Sequence, residues 1–272
     1  MSDTSLTRIA IAGAAGRMGR TLSELTLGSG TLKLTGVTEV PGFNGLGTDI
    51  GELIGVGKAG IALTSDIAAA GADANCFIDF TRPKATLAAI EALKGTQVRS
   101  LVIGTTGFTQ DEMFALQAWS REFAIVYSGN YSLGVNMLSA LVEKAARALG
   151  DDWDIEVLET HHRHKVDAPS GTALLLGDAA AKGRGKHLKD LRLAPYDGVT
   201  GERPAGKIGF SVRRSGGVIG EHEVTFGSEE EIVSLSHTAL DRRVFARGAL
   251  KAAEWASAQP SGWYSMTDVL GL

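Results

Sequence analysis

The chain of 272 residues has room for one large or two modest domains and for a real hydrophobic core. Its 44% hydrophobic and 21% charged composition is that of an ordinary soluble protein, and a net charge of -4 with no basic face argues against nucleic acid as an obligate partner. A single cysteine, Cys76, excludes an internal disulfide framework and fits a reducing compartment. No apolar run reaches the roughly 18 residues of a membrane helix, and Met1-Ser-Asp-Thr-Ser-Leu-Thr-Arg8 lacks the basic start and apolar core of a signal peptide. The expectation is a cytoplasmic globular protein without a membrane partner.

In chain order, Arg8-Ile-Ala-Ile-Ala12 is a short apolar run of the kind a buried parallel strand takes. It ends in Gly13-Ala-Ala-Gly16-Arg17-Met18-Gly19, and a helical stretch follows from Arg20 to about Leu27. Strand, glycine turn and helix form the context that a dinucleotide fingerprint needs, here spaced GxxGxxG. Gly13 permits the tight turn, Gly16 a close approach to a pyrophosphate and Gly19 tight helix packing, while Arg17 stands where it meets phosphate charge. The competing explanation is a plain turn of small residues. A second strand, Leu32–Thr38, ends at Glu39, an acidic residue 26 positions after Gly13 that can accept from ribose hydroxyls. Val40 follows, so no arginine stands there for a 2′-phosphate, and the local chemistry leans to NADH over NADPH.

Residues 41–60 carry seven glycines and read as a mobile surface loop. Cys76–Phe80 is a third strand, with Pro83 at the start of a helix to Leu93. Leu101-Val-Ile precedes Gly104-Thr105-Thr106-Gly107, and a helix runs from about Gln110 to Arg121. Ala124–Tyr127 is a fifth strand, ending at Ser128-Gly129-Asn130-Tyr131. These small, polar turns at strand C-termini would line the nicotinamide half of a cofactor across an open parallel sheet.

An amphipathic helix over 133–149 leads out of that sheet, and beyond Gly150-Asp-Asp the texture changes. Trp153–Glu159 alternates as a strand does. Glu159-Thr-His-His-Arg-His-Lys-Val-Asp-Ala-Pro-Ser-Gly-Thr172 then holds three of the six histidines, a turn around Pro169 and a helix start. The N–H groups of Gly171 and Thr172 at that start, with the helix dipole behind them, suit a small acidic ligand. Alone, such a run is most often a solvated basic loop. A metal site has little support: on a strand His162 and His164 share a face that His161 does not, Cys76 is remote, and no HExxH occurs. Past a helix over 173–182 come a glycine- and lysine-rich loop, 183–190, and strand-like pieces near 208–212, 218–226 and 231–237. Asp241 then caps a helix to about Ala258, which can return to cover the first sheet.

Several stretches together resemble 4-hydroxy-tetrahydrodipicolinate reductase (dihydrodipicolinate reductase), a family of bacterial lysine and diaminopimelate biosynthesis. They are Gly13–Gly19, Phe77-Ile-Asp-Phe-Thr-Arg-Pro83, Val102-Ile-Gly-Thr-Thr-Gly-Phe108, Glu159–Thr172, Gly201-Glu-Arg203, Ile208-Gly-Phe210 and Gly220-Glu-His222. The resemblance implies an α/β fold: an N-terminal Rossmann-type parallel-sheet domain, residues 1–131 and 240–272. It also implies a C-terminal α+β domain, residues 132–239, with a mixed or largely antiparallel sheet for substrate binding and tetramerisation. The implied reaction is NADH- or NADPH-dependent reduction of a cyclic, conjugated imine dicarboxylate. Hydride goes to C4, and His161 and Lys165 assist protonation. His162, Gly171 and Thr172 match substrate-carboxylate contacts. Gly13, Ala14, Ala15, Gly16, Arg17, Met18, Glu39, Gly104, Thr105, Thr106, Ser128, Gly129, Asn130 and Tyr131 match cofactor contacts. Val40 departs from members that carry arginine there. Chemically, histidine suits proton exchange near neutral pH, a neighbouring lysine stabilises negative charge, and the nicotinamide carries the redox step without metal or reactive thiol. Two other functions fit parts of this pattern: another nicotinamide enzyme acting on a small amino or keto acid, and a non-enzymatic NADH-sensing module.

Overall fold

The structure, a computed structural model, describes residues 6–272. The signal-peptide reading concerns the first residues of the chain, and positions 1–5 lie outside the described ones. The chain divides into two compact units, one formed by residues up to Ser132 together with Arg243–Gly271, the other by Leu133–Arg242.

In the first unit, apolar runs alternate with helices. The strands are β1 (Thr7–Ile11), β2 (Leu32–Val37), β3 (Cys76–Asp79), β4 (Ser100–Ile103) and β5 (Ala124–Tyr127). The helices among them are α1 (Arg17–Leu27), α2 (Ile50–Ile54), α3 (Ile67–Gly71), α4 (Pro83–Leu93) and α5 (Gln110–Ala118). Every residue of β3 and β4 is buried, as strands covered on both faces require. Among the described residues the sheet has six strands in the order β10-β5-β4-β3-β1-β2, all parallel, where β10 is Gly262–Tyr264 near the end of the chain. Order reverses between β1 and β3, the crevice where open α/β sheets take ligands. This is a Rossmann-type parallel sheet.

Several local expectations shift. The first helix starts at Arg17 rather than Arg20, because Gly16 is extended (φ -73, ψ 169) and already serves as its N-cap. The 41–60 stretch is not structureless. Asp49 accepts hydrogen bonds from the N–H groups of Gly51, Glu52, Ala59, Gly60 and Ile61, caps α2 and gathers the glycine-rich segment around one carboxylate. Those donors, Ala59 first, hold its carboxyl below the usual range. β10 escaped notice because three residues carry no readable period.

The second unit contains α6 (Leu133–Leu149), β6 (Asp154–His161), α7 (Gly171–Gly183), α8 (Leu188–Leu191), β7 (Ile208–Arg214), β8 (Gly220–Gly227) and β9 (Ile232–Ala239). The loop expected over 183–190 ends in α8. Its sheet runs β7-β6-β8-β9: β6 and β7 are parallel, the other two pairings antiparallel, so the sheet is mixed. Leu138, Val142, Leu176 and Ala180 from α6 and α7 pack on Ile155, Val157, Val224 and Phe226 of one sheet face. The two helices close tightly: a Cβ on Gly183 would lie 2.3 Å from the Glu143 carbonyl oxygen. The remaining helices, α9 (Arg243–Ala256) and α10 (Met266–Leu270), belong to the first unit, where α9 lies against β3, β4 and β5 as the returning helix. Among the described residues no helix is long and apolar enough to cross a membrane.

Candidate active site

The glycine turn of the first unit is shaped by close backbone contacts. Gly13 has φ +61, a conformation that L side chains rarely adopt, and a Cβ there would meet Thr81 at 2.9 Å across the β1/β3 crevice. The Gly16 N–H donates to the Gly13 carbonyl at 2.9 Å. A Cβ on Gly19 would fall 2.2 Å from that same carbonyl oxygen, so α1 can seat against the turn only with glycine there. No side chain caps α1, which leaves its N-terminal amides and dipole for an anion. At the tip of β2, Glu39 Oε2 accepts from the Ala15 N–H at 3.1 Å and its Oε1 from the Val40 N–H at 3.1 Å. Arg17 is exposed beside the turn, and Ala14 is buried within it. These residues fit a dinucleotide: a side-chain-free approach, an uncapped helix start and an acceptor at the second strand tip.

The other strand ends divide. Thr106 and Gly129 stay near the surface, and Gly104 is pressed on by Phe80, since a Cβ there would lie 1.9 Å from the ring. Thr105 is buried: its hydroxyl meets Asp79 Oδ1 (3.2 Å), the Thr81 N–H (2.9 Å) and the Thr86 hydroxyl (2.9 Å). Tyr131 is also internal, its hydroxyl 2.7 and 3.0 Å from the carbonyls of Val126 and Ile103 and its ring edge-on to Phe80. The side chains of Thr105 and Tyr131 thus serve the scaffold and leave only their backbone to face a ligand. Ser128 and Asn130 brace their own turn, Ser128 Oγ accepting from the Asn130 N–H at 3.1 Å.

Sequence reasoning passed over Asp79. It is 1% exposed, and its Oδ1 accepts from the Thr81 N–H at 2.8 Å and from the Thr81 hydroxyl at 2.6 Å. Burial pushes its carboxyl up, against those hydrogen bonds. A buried acid at the end of an otherwise apolar strand was the available signal.

In the second unit, β6 runs two residues further than expected and ends on His161. Residues 162–169 form turns, so strand alternation does not govern His162 and His164, whose rings lie 6.1 Å apart. Ser170 caps α7 by accepting from the Ala173 N–H at 3.1 Å, and Gly171 and Thr172 open the helix. Beneath them sits Glu159, 1% exposed. Its Oε1 accepts from the Ser170 N–H at 3.0 Å and from Arg214 Nη2 at 2.9 Å. Its Oε2 meets Arg214 Nη1 at 2.8 Å and His161 Nδ1 at 2.6 Å. Burial pushes this carboxyl up, but Arg214, His161 and Ser170 outweigh it and hold Glu159 below the ordinary carboxylate range.

His222, opposite Glu159 on β8, places its ring 5.1 Å from that of His161 and its Nε2 3.2 Å from Ser170 Oγ. Burial, reinforced by His161, brings its pKa down to about 4, so this imidazole is neutral at physiological pH. Lys165 Nζ pairs with Asp167 Oδ1 at 2.8 Å. Burial and then the positive charge of Arg242 lower the His162 pKa. His161, His162, Lys165 and the start of α7 therefore gather around one corner of this unit. Glu159, Arg214 and His222 join them from three strands. Among the described residues no group of three His, Cys, Asp or Glu is arranged to hold a metal.

Known proteins show the same two-part organisation. The model of the dihydrodipicolinate reductase N-terminus matches residues 7–131, and that of the C-terminus matches residues 134–270. The 4-hydroxy-tetrahydrodipicolinate reductase of Dinoroseobacter shibae is 53% identical over 265 residues, covering 97% of this chain and 98% of its own. Its counterpart from Parvibaculum lavamentivorans is 52% identical over 269 residues, with 97% and 98% covered. The dipicolinate-bound dihydrodipicolinate reductase from Paenisporosarcina sp. TG-14 shares the fold at TM-score 0.74 and 22% identity, covering 97% of this chain and 98% of its own. With both halves matched in order and close relatives spanning the full length, the chain belongs to the 4-hydroxy-tetrahydrodipicolinate (dihydrodipicolinate) reductase family of oxidoreductases.

Proposed function

We propose that the protein reduces 4-hydroxy-tetrahydrodipicolinate to tetrahydrodipicolinate, in lysine and diaminopimelate biosynthesis, with NADH or NADPH as reductant. The observation that carries this is the joining of His161 to a buried carboxylate beside the Ser170-capped start of α7, with Lys165 on the same turn. The 4-hydroxyl leaves as water to give the conjugated cyclic imine, and reduced nicotinamide, when bound, would supply the hydride to its C4. The chain's own residues handle the charge and the proton. The amides of Gly171 and Thr172, with His162 and Lys165, bind carboxylate. Lys165 reaches the substrate by leaving Asp167, a half-exposed partner whose loss costs little. His161 exchanges a proton at the ring nitrogen that Glu159 does not hold.

Residues 13–18, Glu39, 104–106 and 128–131 make up the cofactor-binding set, Thr105 and Tyr131 through their backbone. Glu39 disfavours a 2′-phosphate by charge, and Val40, 60% exposed, offers no compensating cation, so NADH is the preferred reductant. The active assembly is a cytoplasmic homotetramer, a mass that sedimentation tests directly. The decisive assay incubates the protein with the aldol product of pyruvate and aspartate semialdehyde and follows loss of reduced-nicotinamide absorbance. Folded protein with no turnover of either cofactor would overturn the assignment.

A further inference from the structure

The Glu159 carboxylate joins His161, Ser170 and Arg214 in the second unit's site, and its partners are unequal. Arg214 and the Ser170 N–H are obligate donors, and both are already aimed at the carboxylate. Bidentate Arg214 also donates to the Asp167 carbonyl at 2.7 Å, which ties the carboxylate to the turn carrying Lys165. An ionised carboxylate surrounded by fixed donors has no proton to give. At 2.6 Å the shared hydrogen must therefore sit on His161 Nδ1. The opposite nitrogen, Nε2, faces away from Glu159 and lies over Gly220, where a Cβ would come within 3.1 Å of it. The imidazole keeps 11% of its surface exposed.

We propose that Glu159 is a positioning residue for His161: it fixes the neutral imidazole as the Nδ1–H tautomer and leaves Nε2 as the nitrogen that gives and takes the proton. Arg214 orients Glu159 and holds it ionised. This rests on the proposed role of His161 but makes a statement about the resting protein that is independent of turnover.

The alternative is that Glu159 only ties β7 and α7 to β6. Substitution by glutamine separates the two. In Glu159→Gln the amide oxygen keeps the Oε1 position, where two obligate donors, Ser170 N–H and Arg214 Nη2, require an acceptor. The NH2 group then takes the Oε2 position, against the single donor Arg214 Nη1, and faces His161 Nδ1. A donor facing Nδ1 moves the ring proton to Nε2 and reverses the tautomer.

The experiment is nitrogen NMR on protein labelled with 15N-histidine, the His161 signals assigned by their loss in His161→Asn. Steady-state kcat and cofactor affinity are measured alongside. The wild type should show the neutral ring as Nδ1–H, and Glu159→Gln should show Nε2–H. Its kcat should fall at least roughly tenfold, since a misplaced tautomer removes general acid/base catalysis. NADH affinity should be unchanged. Arg214→Gln should keep the Nδ1–H tautomer even where its melting temperature drops. Nε2–H in the wild type overturns the proposal, as does full kcat in folded Glu159→Gln. Should that variant not fold, the wild-type and Arg214→Gln spectra decide. An undiminished kcat in His161→Asn would instead remove the catalytic reading and leave the tautomer assignment standing.

Discussion

His161 and Lys165 occupy different kinds of surroundings. The histidine is 8% exposed and tied to a buried carboxylate, whereas the lysine leans on an exposed aspartate. Truncating either to alanine should lower kcat at least roughly tenfold, because positioned acid/base groups typically contribute 10²–10⁴. Steady-state assays check this, and unchanged kcat in both variants would reject their roles. Cys76, by contrast, has a thiol pushed up to about 12 by burial inside β3, which keeps it protonated and a poor nucleophile. The proposed preference for NADH rests on Glu39 and Val40 at the tip of β2, and Val40 is the position that tests it. Val40→Arg should tighten NADPH roughly threefold to tenfold while leaving NADH nearly unchanged, since a surface cation opposite a 2′-phosphate contributes about 1 kcal/mol. Paired binding titrations test it. A wild type that already binds NADPH more tightly would refute the lean toward NADH.

Among elements, α1 shows how backbone proximity replaces side-chain chemistry. Alanine is ordinarily the better helix former by roughly 0.5–1 kcal/mol. At Gly19, however, the added methyl would sit 2.2 Å from the Gly13 carbonyl oxygen and 2.6 Å from the Ala14 Cα, both backbone atoms unable to swing away. Gly19→Ala should therefore destabilise by about 1–3 kcal/mol as the helix is forced off the turn. It should also weaken NADH binding by distorting the phosphate approach. Urea unfolding and a binding titration together check both effects, and a stabilised variant with normal affinity would show the close approach to be unimportant. In the second unit α7 plays the matching part. Its cap, Ser170, is shared between the Ala173 N–H and His222, so the helix start is held to β8 as well as to β6.

At the scale of the whole molecule, buried histidine makes stability depend on acid. His222 titrates near 4 in the folded protein against an ordinary value of 6.5, so the unfolded chain takes up the proton first. Its contribution is fully present above about 6.5 and is lost as pH falls toward 4, by roughly 3 kcal/mol in all. The paired carboxylate of Glu159 adds a further loss at lower pH, as it is protonated. His222→Gln should therefore flatten the decline in stability between pH 6.5 and 4.5, measured by urea unfolding. An unchanged slope would place the acid sensitivity elsewhere.

Much of this protein was legible without coordinates. The β1 run, the Gly13–Gly19 turn, the tip residue Glu39 and the 133–149 helix are local signals, carried by period, turn chemistry and spacing. The mixed second sheet was only partly legible, because its pairings are long-range: the parallel partner of β6 is β7, where Ile155 pairs with Ile208, 53 residues further on. The Asp49-centred loop was missed for a related reason, since a single carboxylate organising five amides leaves no repeating pattern.

The sequence alone determined that a glycine turn between a strand and a helix and a cluster of histidines and lysine exist, because each lies within a continuous stretch whose residue types dictate its conformation. Only the tertiary structure decided what those histidines touch. Glu159 meets Arg214 across 55 residues and Ser170 meets His222 across 52, and such meetings follow from sheet register and helix docking, which no local pattern encodes. The same packing turned Thr105 and Tyr131 inward, because a buried hydroxyl must find a partner wherever the core offers one.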